Sequence, residues 1–239
     1  MLKRKFAGDY TGRKYRKAGK GKMGNKNILL AKMKSRLFRT LPEVKTADVV
    51  SLQLACNSTS TFTLCNALAQ GPGRWERIGN KVALKSIQIK LSIDPIRLVT
   101  FTDTARILLV FDSNANGATP TYSSIIQSKS ATNVNVTDID SFKNMDNTNR
   151  YRILMDEQFY LPQTNNTGGF PNIQGMNPQW QINKFIKLGG RQTQYTDTVA
   201  SIASIGTGSL FLITTSAAAA GTEGYNMVGH VRLRYWDIY

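Results

Sequence analysis

Apolar and polar positions alternate most cleanly over residues 82–94. There Ile87, Ile89, Leu91 and Ile93 fall on one face, and Ser86, Gln88, Lys90 and Ser92 on the other. A period of two predicts a strand with one face on a core and the other toward solvent, a partner or nucleic acid. Residues 105–111, ARILLVF, form a nearly unbroken apolar run, which predicts a strand covered on both sides. Further strands are expected at 44–55, briefly around Phe62 and Leu64, and at 209–216. Another is expected at 151–161, with Tyr151, Ile153 and Met155 sharing one face. At 228–238, Val231, Leu233 and Tyr235 alternate with Arg232, Arg234 and Trp236. Residues 180–188 and 192–196 flank Gly189-Gly190, a hairpin signal.

The body therefore holds eight principal strands with no interleaved helices, the pattern of an all-β antiparallel sandwich or barrel. Long polar loops at 113–149 and 162–178 suit a jelly roll better than an up-and-down barrel, whose turns are mostly tight. One helical period precedes the strands. Leu30, Met33, Leu37 and Leu41 recur at spacings of three and four over residues 28–41, and Pro42 disfavours continuation. Such a basic amphipathic helix either lies on a membrane surface or docks its apolar stripe on the body; docking is the favoured reading.

Charge changes the picture more than composition does. Of the chain's net +16, residues 1–39 carry +13. Their bases are Lys3, Arg4, Lys5, Arg13, Lys14, Arg16, Lys17, Lys20, Lys22, Lys26, Lys32, Lys34, Arg36 and Arg39, set against Asp9 alone. A like-charged block this dense repels itself, buries no core and serves as an interaction tail for a polyanion. The expected division is a basic arm over 1–41 and a nearly neutral β domain over 42–239. Phe6, Tyr10 and Tyr15 lie among the charges, either as stacking groups for unpaired bases or as incidental residues. A GxGxxG match at Gly19–Gly24 lacks the preceding strand and the acidic partner of a dinucleotide site, so it reads as flexible backbone.

The remaining chemistry is sparse. No apolar run reaches 18 residues and no apolar h-region follows the first charges, so neither a spanning helix nor a secretory signal is expected. Cys56 and Cys65 are too few for a disulfide framework or a structural zinc site and read as reduced thiols; three sequons then go unglycosylated. His230 is the sole histidine, without a GxSxG elbow beside any triad, and reads as structural. Residues 112–117, DSNANG, copy half of a calcium loop, but Ser123 stands where the bidentate Glu belongs, and a turn explains them as well. Asp138, Asp140 and Asp146 cluster without a selecting spacing, and no phosphate-binding Walker loop occurs. No cofactor, metal or enzymatic activity is expected.

Residues 71–81, GPGRWERIGNK, lead into VALKSIQIKLSI, and this pair resembles the "RIGNK" segment in capsid proteins of circular, Rep-encoding single-stranded DNA viruses. RILLVFDSNANGATPTYSSII, NRYRILMDEQFYL and the closing VRLRYWDIY resemble the strands that follow in the same capsids, in the same order. The resemblance implies a single jelly roll of two four-stranded sheets that assembles as a T=1 shell of 60 copies. It also implies an arm directed to the host nucleus, with Lys3-Arg4-Lys5 and Arg13–Lys17 as the positions for import factors, and an unidentified host receptor for the virion. In physical terms Arg77, Gly79 and Asn80 are expected to form a structural turn at a strand edge near a subunit contact, Gly79 with positive φ and Asn80 capping backbone groups.

Three functions are compatible with these residues. The first is a coat protein packaging single-stranded nucleic acid, DNA rather than RNA, through its arm. The second is a cellular non-specific single-strand-binding β-barrel. The third is a carbohydrate-binding or hydrolytic jelly roll with an incidental basic tail. The first is favoured, and particle formation separates it from the others.

Overall fold

The computed structural model describes residues 43–95, 103–127, 139–161, 180–219 and 225–238. The arm, the 28–41 helix, the 162–178 loop and Asp138 lie outside the described residues.

Among the described residues nine strands follow one another: β1 (Val44–Ala55), β2 (Thr61–Leu64), β3 (Lys81–Pro95), β4 (Asp103–Asp112), β5 (Tyr151–Leu161), β6 (Trp180–Tyr195), β7 (Ile205–Thr207), β8 (Ser209–Ser216) and β9 (Tyr225–Ile238). One four-residue helix, α1 (Tyr122–Ile125), lies between β4 and β5. The strands form a five-stranded sheet in the order β1-β9-β3-β6-β7 and a four-stranded sheet in the order β2-β8-β4-β5. All pairings are antiparallel. First pairs with last and the rest nest inward: β1 with β9, β2 with β8, β3 with β6, β4 with β5. A long hairpin rolled into two sheets produces this nesting, and it defines a jelly-roll sandwich. The three-residue β7 adds a fifth strand to one sheet, by pairing with Gln194 and Tyr195. It is too short to show any periodicity in the sequence.

The core lies between the sheets. Ile87, Ile89, Leu91 and Ile93 of β3 meet Val231, Leu233 and Tyr235 of β9, opposite Ile107 and Leu109 of β4 and Leu210 and Leu212 of β8. The alternation expected on β3 is therefore the one that folds. A second apolar cluster covers the outside of the four-stranded sheet, where Leu108, Val110, Phe211 and Ile213 pack under Ile125 and Ile126. That cover explains why ARILLVF is apolar on both faces, as a strand buried twice must be. Beside it Arg106 forks onto Asp156 at 2.8 and 2.6 Å and donates to the carbonyls of Ile139 and Ser141, tying the loop before β5 to the sheet.

Two sequence expectations are corrected. Gly189-Gly190 is not a hairpin turn, because β6 runs straight through it as one 16-residue strand. Leu84 pairs with Arg191 and Ser86 with Lys187, so Leu188, Gly189 and Gly190 oppose the single residue Lys85. The glycines supply the positive φ values, 66° and 76°, of this three-residue bulge. On β5, Tyr151 and Ile153 join the outer cluster while Met155 joins the inner core. A bulge at Leu154, opposite the Leu109/Val110 step, shifts the alternation by one residue and so reverses the faces.

Candidate nucleic-acid interface

All fourteen arm bases named above, and with them the two clusters expected to serve nuclear import, lie outside the described residues. Within the unit Pro42–Tyr239, two features collect the chemistry. One is the turn that precedes β3, and the other is the outward face of the five-stranded sheet.

The turn is built around Arg77. Main-chain bonds close the 69–77 loop, Arg77 N–H to the Ala69 carbonyl and Gly71 N–H to the Arg77 carbonyl, both at 3.0 Å. This closure turns the guanidinium inward, to full burial. There Nε donates to the Leu68 carbonyl at 3.2 Å, and Nη1 to the Gly79 carbonyl at 2.8 Å and to Asn80 Oδ1 at 3.3 Å. Nη2 donates to the Asp197 carbonyl. The cation also lies 4.2 Å from the centroid of the Tyr195 ring, whose hydroxyl donates to the Asn66 carbonyl at 2.7 Å. Burial pulls the Arg77 pKa down, and Tyr195, Asp237 and Asp197 oppose that pull. Asp237 completes the arrangement by accepting from Ile78 N–H at 2.7 Å and Gly79 N–H at 3.3 Å, with Lys45 Nζ at 3.1 Å.

A guanidinium whose donors are taken by carbonyls inside the fold positions backbone and does not meet phosphate. The expected details at its neighbours are corrected. Gly79 is absent from the glycines of positive φ, so its N–H rather than its φ is what the turn uses. Asn80 turns its side-chain oxygen to Arg77 instead of capping backbone, and its carbonyl accepts from Tyr195 N–H at 2.8 Å. Asp197, Tyr195, Asp237 and Lys45 carry no local sequence signal for this role, because only the closed sandwich brings them to the 77–80 turn.

The other sequence candidates resolve individually. Asp112 is fully buried, forks onto Arg150 at 3.0 Å through both oxygens and accepts from Asn114 N–H at 3.1 Å, so residues 112–117 form a pinned turn. Asp140 and Asp146 are exposed in the loop before β5. Among the described residues no cluster of three or more His, Cys, Asp and Glu is arranged to hold a metal ion. Cys56 and Cys65 are buried free thiols, and burial pushes both up to about 12.

The outward face of the five-stranded sheet reads in rows across the strands. Thr46, Arg234, Ser86 and Lys187 form one row, and Asp48, Arg232, Gln88 and Phe185 the next; then come His230, Lys90 and Asn183. Arg232 is bidentate to Asp48 at 2.8 and 2.7 Å, which neutralises it and holds the Asp48 pKa down. A cleft of about 370 Å³ opens beside this pair, lined by Asp48, Gln88, Lys90, His230, Val231 and Arg232. His230, at the rim of this cleft, is exposed. The sequence signal for the face is the set of bases alternating with core residues on β3 and β9.

Comparison with known proteins adds no family: no family model and no curated protein matches the chain. Among solved structures, that of Desmodium yellow mottle tymovirus shares 13% identity over 100% of this chain and 98% of its own, with a TM-score of 0.32. The empty head of turnip yellow mosaic virus shares 12% over 83% and 84%, at 0.28. Infectious bursal disease virus, Gx strain, shares 9% over 81% of this chain and 32% of its own, at 0.27. At such TM-scores these likenesses carry no argument, and the jelly-roll class rests on the nested strand pairing. By class the protein is an all-β jelly-roll sandwich.

Proposed function

We propose that the protein is a viral coat protein that assembles into a closed shell and packages single-stranded nucleic acid on its N-terminal arm. The observation that carries the reading is a single one: a dense +13 arm precedes a domain of jelly-roll pairing whose β3, β4, β5 and β9 hold the four capsid-like segments in order. The finer reading is a T=1 shell of 60 copies around single-stranded DNA, assembled in the host nucleus after import on the Lys3–Lys5 and Arg13–Lys17 clusters, with a host receptor for the virion. Sixty arms of +13 supply roughly 800 positive charges, enough to neutralise much of a genome of a few thousand phosphates. Counterion release then provides affinity without sequence preference. The role is structural, and no catalytic step belongs to it.

Size-exclusion chromatography with negative-stain microscopy of the purified chain tests the reading. Closed particles are expected; a stable monomer at micromolar concentration, neutral pH and moderate salt would overturn it and favour a cellular single-strand-binding protein. Removal of residues 1–39 is expected to remove most nucleic-acid copurification at moderate salt. Retention at the same salt would move the main binding element into the β domain.

A further inference from the structure

We propose that the outward face of the five-stranded sheet is a second nucleic-acid surface, with Phe185 as the stacking platform for an unpaired base and Lys90, Lys187 and Arg234 taking the flanking phosphates. The proposal rests on the reading that the cargo is single-stranded.

Phe185 is 54% exposed at the β6 end of its row, where a ring face is available to a ligand. Its neighbours are cations and amides. The Arg234 guanidinium carbon stands 5.9 Å from its ring centroid, Gln88 pairs with it across the strands, and Asn183 and Lys187 flank it two residues away on β6. One row over, Lys85 Nζ stands 5.3 Å from the Trp236 ring. Lys85, Lys90, Lys187 and Arg234 have no carboxylate partner among the described residues, whereas Arg232 is neutralised by Asp48 and Lys184 by Glu157. Aromatic faces interleaved with unpaired cations are what a single strand needs, since every base has a π-face and every linkage a charge.

Same-face residues along a strand are about 6.8 Å apart and strands about 4.8 Å, a grid comparable to the spacing of successive phosphates in a stretched single strand. β7 pairs with Gln194 and Tyr195, and among the described residues no strand pairs with β6 on the far side of Phe185. A second copy of the same face is excluded as occupant by its like charge.

The full-length protein is titrated with a fluorescent dT 20-mer and, separately, with heparin, at low salt and at about 0.5 M salt, where arm electrostatics fade and stacking persists. Phe185→Ala is expected to weaken dT binding at high salt by roughly five- to a hundredfold while heparin binding is unchanged, and Phe185→Trp is expected to restore it. Lys187→Gln is expected to lower the salt slope by about one. Photocrosslinking to an iodouracil-substituted oligonucleotide is expected to label the 181–187 peptide as well as the arm. Unchanged dT affinity in Phe185→Ala, or crosslinks confined to residues 1–41, would overturn this surface and leave the arm-based function standing. A wild-type chain that binds no oligonucleotide would overturn both.

Discussion

Arg77 shows how much one side chain can organise once it is out of water. It sits 120 residues from Asp197, and the neighbouring Ile78 sits 159 residues from Asp237, yet the sandwich brings all four together. Lysine cannot reproduce a planar fork that serves Leu68, Gly79, Asn80 and Asp197 while stacking on Tyr195. Arg77→Lys is expected to cost about 3 kcal/mol in chemical denaturation, because buried carbonyls lose their donors. A loss below about 1 kcal/mol would refute the central role assigned to it. The sequence marks RIGN as a turn through Gly and Asn, but nothing within it identifies the partners. The two thiols are a second case at this scale. Buried with pKa values pushed up to about 12, Cys56 and Cys65 are expected to resist maleimide at neutral pH and to label fully in urea. Labelling of the native protein within minutes would contradict their placement.

At the scale of elements, the strands that the pattern identifies are those with an unbroken period. Residues 44–55 form β1 with the expected limits, and 151–161 form β5. The misreadings both fall on bulges. A diglycine between two apolar stretches is the ordinary mark of a hairpin, but β3 pairs on both sides of it and holds β6 in one line. Gly190→Ala forces an L-residue into φ 76° and is expected to destabilise the domain by about 1–2 kcal/mol, read as a shifted urea midpoint. Gly208→Ala is expected to be worse. Its φ is 77°, and an added Cβ would stand 2.1 Å from the Gln192 carbonyl oxygen, backbone that cannot swing aside. Equal stabilities for the two variants would mean that the β7–β8 turn relaxes freely.

For the whole molecule, buried acids predict the pH range of stability. Burial raises Cys56, with a further push from Asp103, and raises Cys65, Tyr195 and Tyr235. An acid whose folded pKa lies above its unfolded value gives up its proton first in the unfolded chain. Its contribution is therefore complete below the unfolded thiol value of about 8.5 and is lost as pH rises toward the folded one. Between pH 8 and pH 10 the thiols alone are expected to remove about 2–4 kcal/mol, and a Cys56→Ala/Cys65→Ala double variant is expected to show a flatter decline by urea titration at each pH. An identical slope in that variant would transfer the effect to the tyrosines. The nested pairing that closes the two sheets belongs to this scale as well, since β1 and β9 meet across nearly the full length of the domain.

What the amino-acid order determined by itself is local: the strand positions, the core face of β3, the doubly buried β4, and the segregation of charge into the first 39 residues. Periodicity and composition act between neighbours, so they are readable without a fold. Only the tertiary structure decided the sheet partners, the bulges that reverse faces, the β7 addition, the Arg77 partners and the grid of cations around Phe185. Those depend on residues far apart in the chain, and no local rule specifies which distant backbone a strand will meet.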